Sequence, residues 1–397
     1  MKNLYVDFRD DSVQTALTEN GKLVEFFVNP KEDKSFVGYV FVGRIKTILP
    51  NLFAFIDIGG KKNAFLNLKE GHGLKAGDQV LVQVNKDATT SKGMSVSLEI
   101  KLKGYYTVVF ESFLSSIGVS KKIDNYIKKK IIKRQVRKFL PSGFGAVIRT
   151  NAEKVSYDII SKEINELCEK LKDIKNRGMY AKKGTLLFPE KNEQSNFFLK
   201  DFISEDINDV FVIGSSEEFI KLRDEIIQLV PNLKNSIYFS EEEKPRLFEY
   251  HGIIKQLFAS LKKEVSLPCG GYITIEETEA CVVIDVNTGS SVDKFSHEEM
   301  AFETNVEATE KIAFEIRLRN LSGIILIDFI DMSLESNKIA LLEKLSNELK
   351  KDRIVADVIG MVGLGMVQLT RRKTRPPISF HLEKKCQCCN GKGRVKI

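Results

Sequence analysis

The chain has 397 residues, 43% of them hydrophobic, which is enough apolar material for two or three packed domains. Its 61 Lys and Arg against 54 Asp and Glu leave a net charge of +7, too modest to argue by itself for an anionic partner. The opening MKNLYVDFRDD holds no signal-peptide core, and no later run approaches the roughly 18 apolar residues of a membrane span, so a cytoplasmic protein without a membrane span is expected.

In chain order, MKNLYVDF and GKLVEFFV read as strands on either side of the turn residues Glu19-Asn20-Gly21. From Ser35 the short runs SFVGYVFVGRIKTI, LFAFIDIGG, NAFLNL and DQVLVQVNK, punctuated by Gly, Pro and Asn, predict a small all-β barrel. KKIDNYIKKKIIKRQVRKFL, residues 121–140, has helical spacing and nine Lys or Arg against one acid, so a basic amphipathic helix is expected, either a solvated face or a nucleic-acid contact. GAVIRTNAEK follows as strand and turn, then SYDIISKEINELCEKLKDIKNR as a second helix. Between 186 and 262 helix and strand alternate: FLKDFISEDI, DVFVIGS, SEEFIKLRDEIIQLV, SIYFSEE and LFEYHGIIKQLFASL. This α/β stretch is expected to join the N-terminal strands, because 35 residues cannot bury a sheet face alone. GYITIEETEACVVIDVN reads as a hairpin, EEMAFETNVEATEKIAFEIRLRN as a long helix, GIILIDFIDM as a strand, SNKIALLEKLSNELKKD as a helix, and VADVIGMVGLGMVQLT as a returning strand.

Two strands share a pattern: four apolar residues, Cys281 to Ile284 and Ile324 to Ile327, end in Asp285 and Asp328. With a helix between them they form a βαβ unit whose strand ends, and carboxylates, share one edge. Two close carboxylates repel unless a cation lies between them, and magnesium suits a few carboxylates plus water and phosphate. Asn287, two residues on, points to the same strand face as Asp285 and adds no charge. The plainer reading, that Asp285 caps a turn with Thr288-Gly289 and Asp328 merely ends a strand, fits the spacing too. Cys168, Cys269 and Cys281 stand singly, as reduced thiols do, whereas Cys386, Cys388 and Cys389 cluster. Cys386-x-x-Cys389 is zinc-binding spacing, but a structural site wants four ligands. Cys388 or His381 could add to the pair, a second chain could bring its own, or the tail could be a flexible end with unpaired thiols.

IDVNTG, ETNVEATEKIAFEIRLRNLSG and IILIDFIDM closely resemble the ribonuclease E/G family, and GAVIRTNA and the terminal C-x-x-C-x-G-x-G match other parts of it in the same order. The length resembles its compact ribonuclease G type. The resemblance implies a multidomain α/β (α+β) chain: an RNase H-like subdomain from 1–34 and 190–262, an inserted S1 barrel of the OB type at 35–102, a 5′-sensor region at 103–189, a DNase I-like catalytic domain at 263–380 and a zinc knuckle at 381–397. It implies a magnesium-dependent endoribonuclease cutting single-stranded, AU-rich RNA, in rRNA maturation and mRNA turnover. Asp285 and Asp328 would hold the metal with Asn287 assisting, and Asp331 would support them. Phe55, Phe65 and Lys92 would contact RNA on the barrel, a surface on which bases stack. Arg149 and Thr150 would bind a 5′-monophosphate, with the loop Ile117–Lys122, including Gly118 and Val119, on the pocket's other side. It favours zinc shared by Cys386 and Cys389 across a homodimer or dimer of dimers.

Metal-dependent hydrolysis would leave 5′-phosphate and 3′-hydroxyl ends. A 2′-hydroxyl route wants paired histidines, and His72, His251, His297 and His381 are far apart in sequence. Two other classes stay open: an RNA-binding protein without catalysis, against which the intact Asp285, Asn287 and Asp328 argue, and a metal-dependent DNA nuclease, against which the barrel argues.

Overall fold

Asn20 and Gly21 both take positive φ (51° and 76°), the backbone a tight hairpin turn demands, and so join β2 (Ser12–Glu19) to β3 (Lys22–Pro30). β2 also pairs antiparallel with β1 (Lys2–Phe8). The sequence reading names β1 and β3 but not β2, which buries the polar Thr15 and Thr18. The structure, a computed structural model, describes the chain except residues 31–35, 51–52, 61, 69, 72, 89–91, 124, 154, 190–201, 241–245, 290–296, 363–364, 385, 390–392 and 394–397. It divides into two compact units, one of residues 1–32, 206–223 and 233–397, the other of 33–205 and 224–232.

In the second unit, β4 (Val40–Leu49), β5 (Phe53–Asp57), β6 (Ala64–Asn67), β7 (Gln79–Lys86) and β8 (Ser95–Ser97) close on themselves in the order β4-β5-β6-β8-β7, with β7 returning to β4. This is the expected barrel. Alternate residues, among them Ile45, Ala54, Ile56, Leu66, Val82 and Val84, fill it. Gly43 is needed on β4, because a Cβ there would lie 2.5 Å from the Ile56 side chain. A second sheet follows. β9 (Lys101–Lys103), β10 (Thr107–Glu111) and β12 (Phe144–Ile148) are antiparallel, and β11 (Ile117–Val119) adds parallel to β12.

Between β11 and β12 runs the basic helix α1 (Tyr126–Val136), shorter than the 121–140 pattern suggests because Asn125 caps it, its side chain accepting from the Lys128 N–H. α2 (Tyr157–Tyr180) buries Ile160, Ile164, Cys168, Leu171 and Ile174 along one stripe. β13 (Leu186–Phe188) then pairs with β4.

The first unit resumes with β14 (Asp209–Ile213) and the start of α3 (Ser216–Leu229), whose remainder counts with the second unit, and continues at β15 (Ile237–Ser240). β14 pairs parallel with β1, and β15 with β14, giving the order β15-β14-β1-β2-β3. The N-terminal strands thus gain the partners they need. α4 (Arg246–Tyr250) and α5 (Ile253–Ala259) supply Phe248, Ile253 and Leu257 to the same core. No helix forms over Phe202–Asn208, contrary to the reading of FLKDFISEDI, whose first four residues lie outside the described ones.

The last sheet holds β16 (Glu264–Ser266), β17 (Tyr272–Glu277), β18 (Cys281–Asn287), β19 (Gly323–Asp328), β20 (Ala356–Met361) and β21 (Val367–Arg371). Its order is β16-β17-β18-β19-β21-β20. The run 355–370, read as one strand, is two, paired antiparallel. α6 (His297–Leu318) connects β18 to β19, which are the parallel pair, and α7 (Glu335–Leu349) follows β19. Both helices pack on one face, closing Ile284, Ile325, Ile327, Ile312, Leu341 and Leu345 into a core. The other face of the sheet is open: Ile324, although part of an unbroken apolar run, is 44% exposed. A mostly antiparallel sheet tolerates one solvated face. Among the described residues, no helix is long and apolar enough to cross a membrane.

Candidate active site

The register of β18 and β19 sets Cys281 beside Ile324 and, four residues on, Asp285 beside Asp328. Paired residues on adjacent strands have Cα atoms about 5 Å apart, so both carboxylates leave the same edge of the sheet. Val282, Ile284 and Val286 turn into the core, and the period of two sends Asp285 and Asn287 to the open face. Asn287 Nδ2 donates to Asp285 Oδ2 at 2.9 Å, which leaves its amide oxygen free of that bond. The carboxyl of Asp328 is pushed above its ordinary value, first by partial burial, then by the charges of Asp285 and Asp331.

Asp331 is exposed in the loop after β19, where a Cβ on Gly365 would sit 3.3 Å from its Oδ1. Among the described residues, no group of three or more His, Cys, Asp or Glu is arranged to hold a metal. The pair is a two-carboxylate site with like charges crowded at an open edge. That donor set suits an ion that takes its remaining ligands from water and phosphate, as magnesium does.

The barrel turns three of its aromatics outward, while Tyr39 and Phe41 are buried in its core. Phe55 stands opposite Phe65 in the β5–β6 register, their rings 6.2 Å apart and tilted by 66°. Phe53 joins them, 5.1 Å from Phe65. All three are half-exposed while Ala54, Ile56, Ala64 and Leu66 fill the interior, so these rings are not core residues. The sequence reading omits Phe53, although the spacing of Phe53 and Phe55 by two is the signal for a shared face. Lys92 is exposed on the segment leading into β8, and the bare Gly93 lets that segment lie against Asn63, whose carbonyl oxygen a Cβ would meet at 2.0 Å. Phe65 N–H in turn donates to the Met94 carbonyl at 2.7 Å.

Gly118 and Val119 lie on β11 rather than in a loop, paired with Val147 and Ile148. This brings them beside Arg149 and Thr150. The Ser120 N–H donates to the Ile148 carbonyl at 2.8 Å, and the Ser120 and Thr150 hydroxyls are 3.0 Å apart. Arg149 Nη1 donates to the Gly104 carbonyl at 2.7 Å. The turn carrying Gly104 is held in place by Glu163 of α2, whose carboxylate accepts from the Tyr105 and Tyr106 N–H groups and the Thr107 hydroxyl at 2.5–3.1 Å.

At the C-terminus, Cys386 and Cys388 are exposed and Cys389 is partly buried. The thiol of Cys386 is pushed below its ordinary value, first by the backbone N–H of Cys389, then by that of Cys388 and by the Cys389 thiol. Gly393 N–H donates to Cys389 Sγ at 3.3 Å. Amides aimed at sulfur favour thiolates, the form that ligates zinc. His381 lies on α8 (Ser379–Leu382), and burial lowers its imidazole's ordinary value. Gly391 and Lys392 of the knuckle lie outside the described residues.

The Ribonuclease E/G family model matches residues 101–374. Ribonuclease G of Haemophilus influenzae (strain ATCC 51907 / DSM 11121 / KW20 / Rd) is 31% identical over 99% of this chain and 84% of its own length. Ribonuclease G of Escherichia coli (strain K12) is 30% identical with the same coverage. Ribonuclease E of Escherichia coli (strain K12) is 27% identical over 100% of this chain but only 39% of its own length. The chain belongs to the ribonuclease E/G family and is an endoribonuclease of RNA processing.

Proposed function

We propose that this chain hydrolyses single-stranded RNA with a magnesium ion held by Asp285 and Asp328, in the cytoplasm, during rRNA maturation and mRNA turnover. The observation that carries this reading is the pairing of Asp285 with Asp328 on adjacent parallel strands, with Asn287 on the same face. When bound there, magnesium supplies Lewis-acid stabilisation of the charge that builds on the scissile phosphate. The two carboxylates hold the ion at the strand ends, and Asn287 fixes the orientation of Asp285 and offers its amide oxygen to solvent or substrate. Phe53, Phe55 and Phe65 offer stacking faces to unpaired bases, and Lys92 a cation to the backbone.

The β15-β14-β1-β2-β3 order supports an RNase H-like subdomain, and the one-sided β16–β21 sheet supports a DNase I-like catalytic domain. The reading of Cys386 and Cys389 as half of a zinc site shared between two chains rests on a two-thiolate knuckle that needs further ligands. Elemental analysis of the purified protein is expected to give about one zinc per two chains. A zinc-free, fully active protein would exclude the shared site.

Arg149, Thr150, Gly118 and Val119 converge at the ends of β11 and β12 in a manner suited to a 5′-monophosphate, which carries about two charges and accepts several donors. The test uses one single-stranded RNA prepared with 5′-hydroxyl, monophosphate or triphosphate ends, and chelator-stripped protein with and without magnesium. Cleavage is expected only with magnesium, and fastest on the monophosphate. Arg149→Ala is expected to equalise the three ends while sparing the rate on 5′-hydroxyl RNA. Equal wild-type rates on all ends would remove the end-sensing role, and cleavage in chelator would remove the metal.

A further inference from the structure

The segment that carries Asp328 and Asp331 leaves the sheet between them. The β18–β19 pairing ends at Asp285 and Asp328, and the β19–β21 pairing ends at Ile327 and Val367. Among the described residues Ile330 therefore has no paired strand, yet both of its peptide groups are held. Asn305, on α6 and 0% exposed, donates from Nδ2 to the Ile330 carbonyl at 2.8 Å and accepts from the Ile330 N–H at Oδ1 at 3.0 Å. A primary amide presents a donor and an acceptor side by side, as a peptide does, so this side chain does for Ile330 what a neighbouring strand would.

The clamp lies two residues after Asp328 and one before Asp331. Phe329 and Met332, on either side of Ile330 in the chain, are buried. Glu298, at the start of the same helix, accepts from the Ser333 and Leu334 N–H groups at 2.7 and 3.1 Å and from Asn337 Nδ2 at 2.8 Å. One helix thus holds the acid-bearing loop at two points, and at the Asn305 point both the N–H and the carbonyl of Ile330 are hydrogen-bonded.

We infer that Asn305 is a positioning residue for the metal site: by clamping Ile330 it fixes where Asp328 and Asp331 stand relative to Asp285, and so sets the affinity for a divalent cation. The inference rests on the reading of Asp285 and Asp328 as magnesium ligands. Asn305 touches neither metal nor RNA in this role. Removing a side chain that orients metal ligands typically weakens metal binding about 10- to 100-fold.

The test measures magnesium affinity by calorimetry without RNA, the magnesium concentration for half-maximal cleavage, and RNA affinity in chelator, for wild type, Asn305→Ala, Asn305→Gln and Asp328→Asn. Asn305→Ala is expected to raise the magnesium Kd and the half-maximal magnesium concentration about tenfold each, to recover cleavage at high magnesium, and to leave RNA affinity within about twofold, which a general loss of structure would not do. Asn305→Gln keeps the amide but displaces it by one methylene, and is expected to weaken magnesium binding to a lesser degree. It decides the matter if the Ala variant does not fold. Wild-type magnesium affinity in a folded Asn305 variant, with Asp328→Asn weakened, overturns this inference alone. Unchanged magnesium affinity in Asp328→Asn overturns the metal reading and this inference with it.

Discussion

Asp328→Asn is expected to lower the cleavage rate by about 10³-fold or more while leaving RNA affinity unchanged. The substitution keeps the shape of the side chain but removes one of two charges at the strand ends, and metal-assisted charge stabilisation is worth several kcal/mol, at about 1.4 kcal/mol per factor of ten. Binding survives because the outward rings of Phe53, Phe55 and Phe65 belong to the barrel and are untouched by the change. Phe65→Ala is the converse. It is expected to weaken RNA binding by about 5- to 100-fold, since stacking is worth roughly 1–3 kcal/mol per base, with near-normal turnover once RNA saturates. Filter binding and single-turnover cleavage separate the two. An Asp328→Asn protein that cuts at the wild-type rate in magnesium would sink the metal assignment.

Asp352→Ala is expected to destabilise the unit carrying the carboxylates by about 3–5 kcal/mol, the range for breaking a buried ion pair from one side. Arg371, on β21, is 2% exposed, and its Nε donates to Asp352 Oδ2 at 2.7 Å. Its Nη1 also donates to Asn320 Oδ1 and the Leu321 carbonyl. Asn320 takes positive φ (53°) where α6 turns into β19, so this network ties the end of the connecting helix to β21, an inner strand of the sheet. Without Asp352 the guanidinium stays buried and loses its counter-charge. Thermal unfolding should begin roughly 10 °C lower. A melting temperature within a degree of wild type would show that water or another acid replaces the carboxylate.

The parallel pairing of β18 with β19 was legible in the sequence, because both strands end four apolar residues with an acid and a long helix separates them. The barrel was legible from its evenly spaced short strands. What was hidden follows from physical causes. β2 carries no clear strand pattern because it buries Thr15 and Thr18 where alternation leads one to expect apolar residues. The basic helix stops short of its pattern, since a Lys-rich run carries charge periodicity past the residues that pack. Only Ile132 and Val136 of α1 are buried. FLKDFISEDI has helical spacing, yet Phe202, Ile203 and Ile207 are buried from a backbone that is not helical, so apolar spacing alone did not fix the local structure.

The carboxylates and Asn287 could be named from local spacing. Their supports, Asn305 and Glu298, could not, since each acts on backbone 25 to 36 residues away. Phe53 was within reach, two residues before Phe55, but which face of a barrel strand looks outward is settled only by the register.

The most direct test of the central claim is the chemistry of the new ends. A 5′-labelled single-stranded RNA is incubated with the purified protein and magnesium, and the fragments are analysed by mass spectrometry. Hydrolysis at Asp285 and Asp328 predicts a 3′-hydroxyl on the upstream fragment and a 5′-monophosphate on the downstream one, with no product in chelator. A 2′,3′-cyclic phosphate, or equal cleavage without a divalent ion, would contradict the account.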